Sequence, residues 1–151
     1  MLMDVKGGFH QCVSFISKNG TQTFDEIGDE VRTAVVTKEG KYKKATVRKL
    51  DKKKQIYKVT FRKGVYVSTD TAIYAAADQE WYVAGREGKV ETTDLEPGDV
   101  LVGEEGVLFP WAVVGVEDTG EEHEVWSVKV DRSDSFCLRN KIATASISVG
   151  K

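Results

Sequence analysis

Apolar and polar residues alternate along this chain in short runs, each closed by turn-forming residues. Arg32–Thr37 is followed by Lys38-Glu39-Gly40, Lys43–Leu50 by Asp51–Lys54, and Gln55–Phe61 by Arg62-Lys63-Gly64. Val65–Ser68 comes next. A period of two, punctuated by turns, predicts strands joined by hairpins. Further strands are predicted at Trp81–Val83, Val100–Val102, Trp111–Val116, Val125–Val130 and Ser135–Leu138. Helical periodicity is weak. One helical turn is predicted at Thr23–Gly28, with Thr23 as its cap and Glu26 three residues later. The pattern therefore predicts a mainly β domain of many short strands, without a solenoid repeat. Gly7-Gly8 predicts a loose front, and Ser146–Lys151 reads as an appended tail.

A length of 151 residues favours one domain with a real core. With 40% hydrophobic and 30% charged residues, the composition is that of a soluble globular protein. No run reaches membrane-spanning length, and the first residues lack the apolar core of a signal peptide. Cys12 and Cys137 are too few for a disulfide framework, so free thiols and a cytoplasmic location are expected. Charge is uneven. Residues 1–66 hold 15 Lys/Arg against 7 Asp/Glu, and residues 67–151 hold 7 against 17. Opposite charges of this size favour association of the two halves. The lysines at 41–44 and 52–54 read as the solvated face and turn of a hairpin, because few aromatics interleave them for base stacking.

Several segments resemble the motifs of inteins and Hedgehog-type self-processing (Hint) domains. Thr93-Asp94-Leu95-Glu96-Pro97-Gly98-Asp99-Val100-Leu101-Val102 resembles "L-x-x-GD-x-[LVI]", and it follows Trp81-Tyr82-Val83. Gly64–Tyr74 is similar to "G-x-x-[IV]-x-x-T-x-x-H". Val125–Phe136 resembles "V-Y-D-x-x-V-x-x-x-H-x-F", and Asn140–Ser146 falls where inteins have "NG-[IV]-x-x-HN" followed by Cys, Ser or Thr. Cys12 sits where a first intein residue belongs. The order and spacing cover Cys12–Ser146, and 12–145 has the size of a mini-intein without a homing endonuclease. The resemblance implies an all-β horseshoe of curved strands with pseudo-twofold symmetry. It divides the chain into an upstream host segment (extein) at 1–11, a splicing domain at 12–145 and a downstream host segment at 146–151.

The resemblance also assigns chemistry. Cys12 would attack the Gln11 carbonyl and turn the amide into a thioester, for which a thiolate is the right nucleophile. Ser146 would take over the acyl group. The last residue, normally Asn, would cyclise and cut the downstream bond. Here that residue is Ala145, whose methyl group has no nucleophile, so the last step is blocked. The helper positions also depart from the pattern. Ser68 and Thr71 stand where Thr and His are usual, Ser127 replaces Asp, Asp134 replaces His, and Thr144 replaces the penultimate His. A threonine cannot donate a proton near neutral pH as histidine does. A slow first step is expected. His10 and His123 fall outside the motif positions and read as a flanking and a surface residue. Cys137, between Phe136 and Leu138, reads as packing.

Removing 12–145 would join Gly7–Gln11 to Ser146–Lys151, whose "S-x-x-x-G-K" loosely resembles a phosphate-binding loop. A host such as a P-loop ATPase, including a phage terminase, is one expectation. A monomer without cofactor, metal, membrane or obligatory nucleic-acid partner is another. The alternatives are a Hint relative that cleaves without ligating or is inactive, and a non-catalytic β-rich module binding nucleic acid through its basic 41–63 segment.

Overall fold

The computed structural model describes residues 6–63, 70–102, 111–139 and 142–146. The strands are β1 (Phe9–His10), β2 (Ser14–Ser17), β3 (Gly20–Thr23), β4 (Glu30–Val36), β5 (Tyr42–Lys63), β6 (Asp70–Ala76), β7 (Glu80–Tyr82), β8 (Lys89–Glu91), β9 (Val100–Leu101), β10 (Trp111–Val130), β11 (Ser135–Cys137) and β12 (Ala143–Ala145). The described residues form no α-helix, only single 3-10 turns at Phe24–Ile27 and Thr92–Asp94. The all-β expectation holds. The first turn starts where its cap predicts, with the Thr23 N–H donating to Glu26 Oε1 at 3.2 Å.

Eight strands form one sheet in the order β3-β2-β4-β5-β6-β1-β10-β9, with β5 also paired to β10. Four form a second, in the order β11-β12-β7-β8. Every pairing is antiparallel. The two long strands organise the domain. β5 pairs with β4 along its first half, with β6 along its second, and with β10 throughout. Its buried positions, Val47 and Leu50, then Ile56 and Val59, slip out of strict alternation. Opposite them β10 shifts register between Asp118 and Glu122 and again between Glu124 and Trp126. Extra residues on one strand bend and twist the pair, which carries one ladder across the curved sheet.

Two features differ from the sequence reading. Asp51–Lys54 is not a turn, and the basic segment is not a 41–63 hairpin but one continuous strand. The reason lies on the partner: Glu122, His123 and Glu124 pair with Gln55, Lys54 and Lys53, which continues the ladder through the basic segment and sets Glu124 opposite Lys53. The predicted pair Trp111–Val116 and Val125–Val130 is likewise one strand. The front is not loose either. Gly8 and Phe9 are buried, and the Phe9 ring meets Phe24, Trp81 and Phe136 at 5.9, 5.8 and 6.0 Å between centroids. Phe9 thus joins strands from both sheets in one core. β1, β2, β3, β8 and β12 escaped the sequence reading because segments of two to four residues carry too little alternation to register; β6 escaped it too, although seven residues long, because its small alanines blur the alternation. The predicted strand Val65–Ser68 lies outside the described residues. No helix among the described residues is long and apolar enough to cross a membrane.

Candidate functional site

The two ends of the described chain meet at one side chain. Gln79 lies between β6 and β7 and is 4% exposed. Its backbone is fixed first. Its carbonyl accepts from Thr92 N–H at 2.9 Å and Thr92 Oγ1 at 3.1 Å. Thr92 Oγ1 in turn accepts from the buried Trp81 Nε1 at 2.9 Å. The side-chain amide then reaches both ends. Oε1 accepts the Gly8 N–H at 2.8 Å. Nε2 donates to the Ala145 carbonyl at 3.0 Å and to Thr144 Oγ1 at 2.9 Å. Only one amide orientation satisfies this set, since a backbone N–H needs an acceptor and a carbonyl needs a donor. Thr144 passes its own proton to the Glu80 carbonyl at 2.8 Å.

The peptide between Gly7 and Gly8 is held at both of its polar atoms. Lys54 Nζ donates to the Gly7 carbonyl at 2.8 Å, and Asp78 holds the same ammonium at 3.2 and 3.3 Å. A Cβ on Gly7 would collide with Gln79 Oε1, and one on Gly8 would stand 2.7 Å from Val125 Cγ2. Both residues also have positive φ, 86° and 133°. Glycine is the residue that fits this close approach.

On the downstream side, Ala145 is buried in β12 and Ser146 follows it. The Ser146 N–H donates to the Asp134 carbonyl at 2.9 Å, and its Oγ donates to the Ser133 carbonyl at 3.1 Å. Tyr82 Oη also donates to the Asp134 carbonyl, at 2.8 Å. Asp134 therefore meets Ser146 through its backbone, while its exposed carboxylate stands 3.9 Å from Lys89.

Cys12 belongs to a separate, surface arrangement. Its Sγ lies 3.1 Å from His10 Nδ1, which also accepts the Cys12 N–H at 3.2 Å. His10 meets His123 edge-on at 4.7 Å, and His123 Nε2 contacts Glu121 at 2.8 Å. The Gln11 carbonyl accepts the Asp25 N–H at 3.1 Å. Partial burial pushes the Cys12 thiol above its usual range, with the Asp25 charge adding to it. Burial, then neighbouring His123, pulls His10 below the usual imidazole range. Both shifts favour a neutral thiol beside a neutral imidazole. Thr71 and Tyr74 of β6 and Arg139 line the same surface depression as Cys12.

Of the residues the sequence singles out, the structure thus gathers Thr144, Ala145, Ser146 and the backbone of Asp134. It sets Cys12 beside Thr71 in the other cluster. Ser127 is buried in β10 opposite Arg48. Ser68 lies outside the described residues. The residues the sequence reading missed are Gly8, Lys54 and Gln79. Gln79 is not titratable, and Lys54 was one of a run of lysines. The usable signal was three polar residues, Asp78, Gln79 and Glu80, wedged between Ala75-Ala76-Ala77 and a core tryptophan.

Comparison with solved structures finds the fold of this all-β domain among the inteins. The chain is similar to the Ssp DnaB mini-intein variant M86 at 14% identity and a TM-score of 0.75, covering 99% of each chain. It matches the DnaB intein from Synechocystis sp. PCC 6803 at 17% identity and a TM-score of 0.72, covering 95% of this chain and 99% of that one. The gp41-1 intein matches at 19% identity and a TM-score of 0.68, covering 93% of this chain and 98% of that one. No family model and no curated relative matches the chain.

Proposed function

We propose that this chain is a self-processing domain of the intein type, arrested at its last step. The observation that carries the reading is the Gln79 amide, bonded at once to the Gly8 N–H and the Ala145 carbonyl. A fold that brings both ends of its chain to one buried donor–acceptor group has the geometry needed to exchange an acyl group between them. The donor on the Ala145 carbonyl sits where negative charge grows when that carbonyl is attacked. An Asn at this position would use its side-chain nitrogen for the attack, closing a succinimide and freeing the Ser146 amine. Ala145 offers no such atom.

The upstream reaction open to this chain is at Gln11–Cys12. The thiol adds to the Gln11 carbonyl, the C–N bond breaks, and the thiol proton ends on the Cys12 amine. His10 Nδ1, at 3.1 Å, relays that proton, and the Asp25 N–H supports the oxyanion. Ser146 Oγ would then displace the thiolate and form an ester. Ser68, Thr71, Ser127, Asp134 and Thr144 act as positioning groups, and the segments flanking the domain are parts of a host protein. A second reading, release without ligation, is favoured by two observations: Ser146 Oγ is bound to the Ser133 carbonyl, and the upstream residue joined to Ala145 through Gln79 is Gly8 rather than Gln11.

Intact mass spectrometry tests both. A strong thiol should release Met1–Gln11 slowly, within the roughly 10²–10⁴-fold penalty for a missing general acid. The Ala145→Asn chain should shed Ser146–Lys151. If neither fragment forms from folded protein, the self-processing reading is wrong.

A further inference from the structure

We propose that the upstream peptide bond this fold is built around is Gly7–Gly8, with Lys54 and Gln79 as its positioning residues, so that Cys12 lies inside the domain and not at its border. The proposal rests on the self-processing reading and identifies that site's upstream half. Gly7–Gly8 is gripped at its carbonyl by the Lys54 ammonium and at its N–H by Gln79, both at 2.8 Å. The second face of the same Gln79 amide holds the downstream carbonyl of Ala145 at 3.0 Å. Two separate charged or polar groups thus converge on one peptide, and one of them is shared with the other junction. The Gln11–Cys12 peptide has its own donor from Asp25, but the bonds described for it run to β1 and the Phe24–Ile27 turn, not to β12.

The grip on Gly7–Gly8 has a chemical direction. An ammonium on a carbonyl oxygen stabilises the oxyanion formed when a nucleophile adds to that carbon. Gln79 Oε1 orients the nitrogen that would leave, but it accepts a hydrogen bond and has no proton to give. Residue 8, being glycine, has no nucleophilic atom. The site therefore polarises a bond that the native chain cannot break. Release at Cys12 would leave the downstream flank unjoined.

Supplying the missing atom tests this. In Gly8→Cys the introduced thiol can add to the Gly7 carbonyl, the C–N bond breaks, and the thiol proton passes to the residue 8 amine. Added dithiothreitol then releases Met1–Gly7, which differs in mass from Met1–Gln11. The expected result is the shorter fragment, forming at least tenfold more slowly when Lys54→Met or Gln79→Met is added. Release of Met1–Gln11 alone, or no fragment from a folded Gly8→Cys chain, overturns the proposal. Because a side chain at residue 8 crowds Val125, amide hydrogen exchange on the native chain gives a second reading. The Gly8 N–H should be protected like the core, and should exchange at least tenfold faster in Gln79→Met while Val59 is unchanged. A Gly8 amide exchanging at the solvent rate overturns the proposal even if Ala145→Asn cleaves. A protected Gly8 with an inert Ala145→Asn chain sinks the self-processing reading and leaves the clamp.

Discussion

Replacing Gln79 by Leu removes an amide of nearly the same volume and leaves two buried backbone groups without partners, the Gly8 N–H and the Ala145 carbonyl. Thr144 Oγ1 keeps its bond to Glu80 and so adds little. A buried group deprived of its partner costs about 1–3 kcal/mol, so the pair costs roughly 2–6 kcal/mol. Against a typical total of about 5–15 kcal/mol, that is a large fraction. For a chain of this length it should lower Tm by roughly 5–20 °C. Gln79→Glu separates hydrogen bonding from shape. Protonated, the introduced carboxyl can accept from Gly8 and donate to Ala145. Ionised, it keeps the first bond and loses the second. Burial and the facing carbonyl raise its folded pKa above the unfolded value of about 4.3. Its contribution is therefore full below that value and is lost as pH rises through the raised pKa. Thermal unfolding of the Gln79→Glu chain should approach the native Tm at low pH and fall away at neutral pH. A Gln79→Leu chain as stable as the native one, or a Gln79→Glu chain with a pH profile parallel to native, would refute the clamp.

Cys12, its thiol pushed up by burial and Asp25, should react with iodoacetamide more slowly than free cysteine at neutral pH, with the gap closing as pH rises past the ordinary thiol range; stopped-time mass analysis reads the ratio. His10 has a lowered folded pKa. Its contribution to stability is present above about pH 6.5 and is lost as pH falls through the lowered value, so urea unfolding of His10→Asn should lose part of the native chain's acid sensitivity. Phe9→Ala empties the contact among Phe24, Trp81 and Phe136 and should cost about 3–5 kcal/mol in urea unfolding. That result would also show that residues before Cys12 belong to the folded domain.

The large strands and the fold class were legible because stretches of β5 and β10 bury alternate side chains, Ala45 and Val47 in the first, Trp111 and Val113, then Val128 and Val130, in the second. What escaped was fixed by partners distant in sequence. Nothing local tells Asp51–Lys54 from a turn; Glu122–Glu124, some seventy residues on, make it a strand. Residues 144–146 were singled out in the sequence by their place in the motif order, but their contact with Gln79 was not. The upstream site was not legible. Its members are two glycines, which read as looseness, a lysine within a basic run, and a glutamine that does not titrate. The attractive signal, the thiol of Cys12, lies on the other side of His10. A Cys–His pair stands out in a sequence, whereas a backbone gripped by an amide and an ammonium appears only when the sheet register is known.

Nuclear Overhauser contacts from the Gln79 side-chain amide protons in the native protein test most directly whether Gly8 and Ala145 share that one side chain. Cross-peaks to protons of Gly8 and also of Thr144 and Ala145 are the predicted result. An amide whose cross-peaks reach only one end of the chain, or which exchanges freely with solvent, would contradict it.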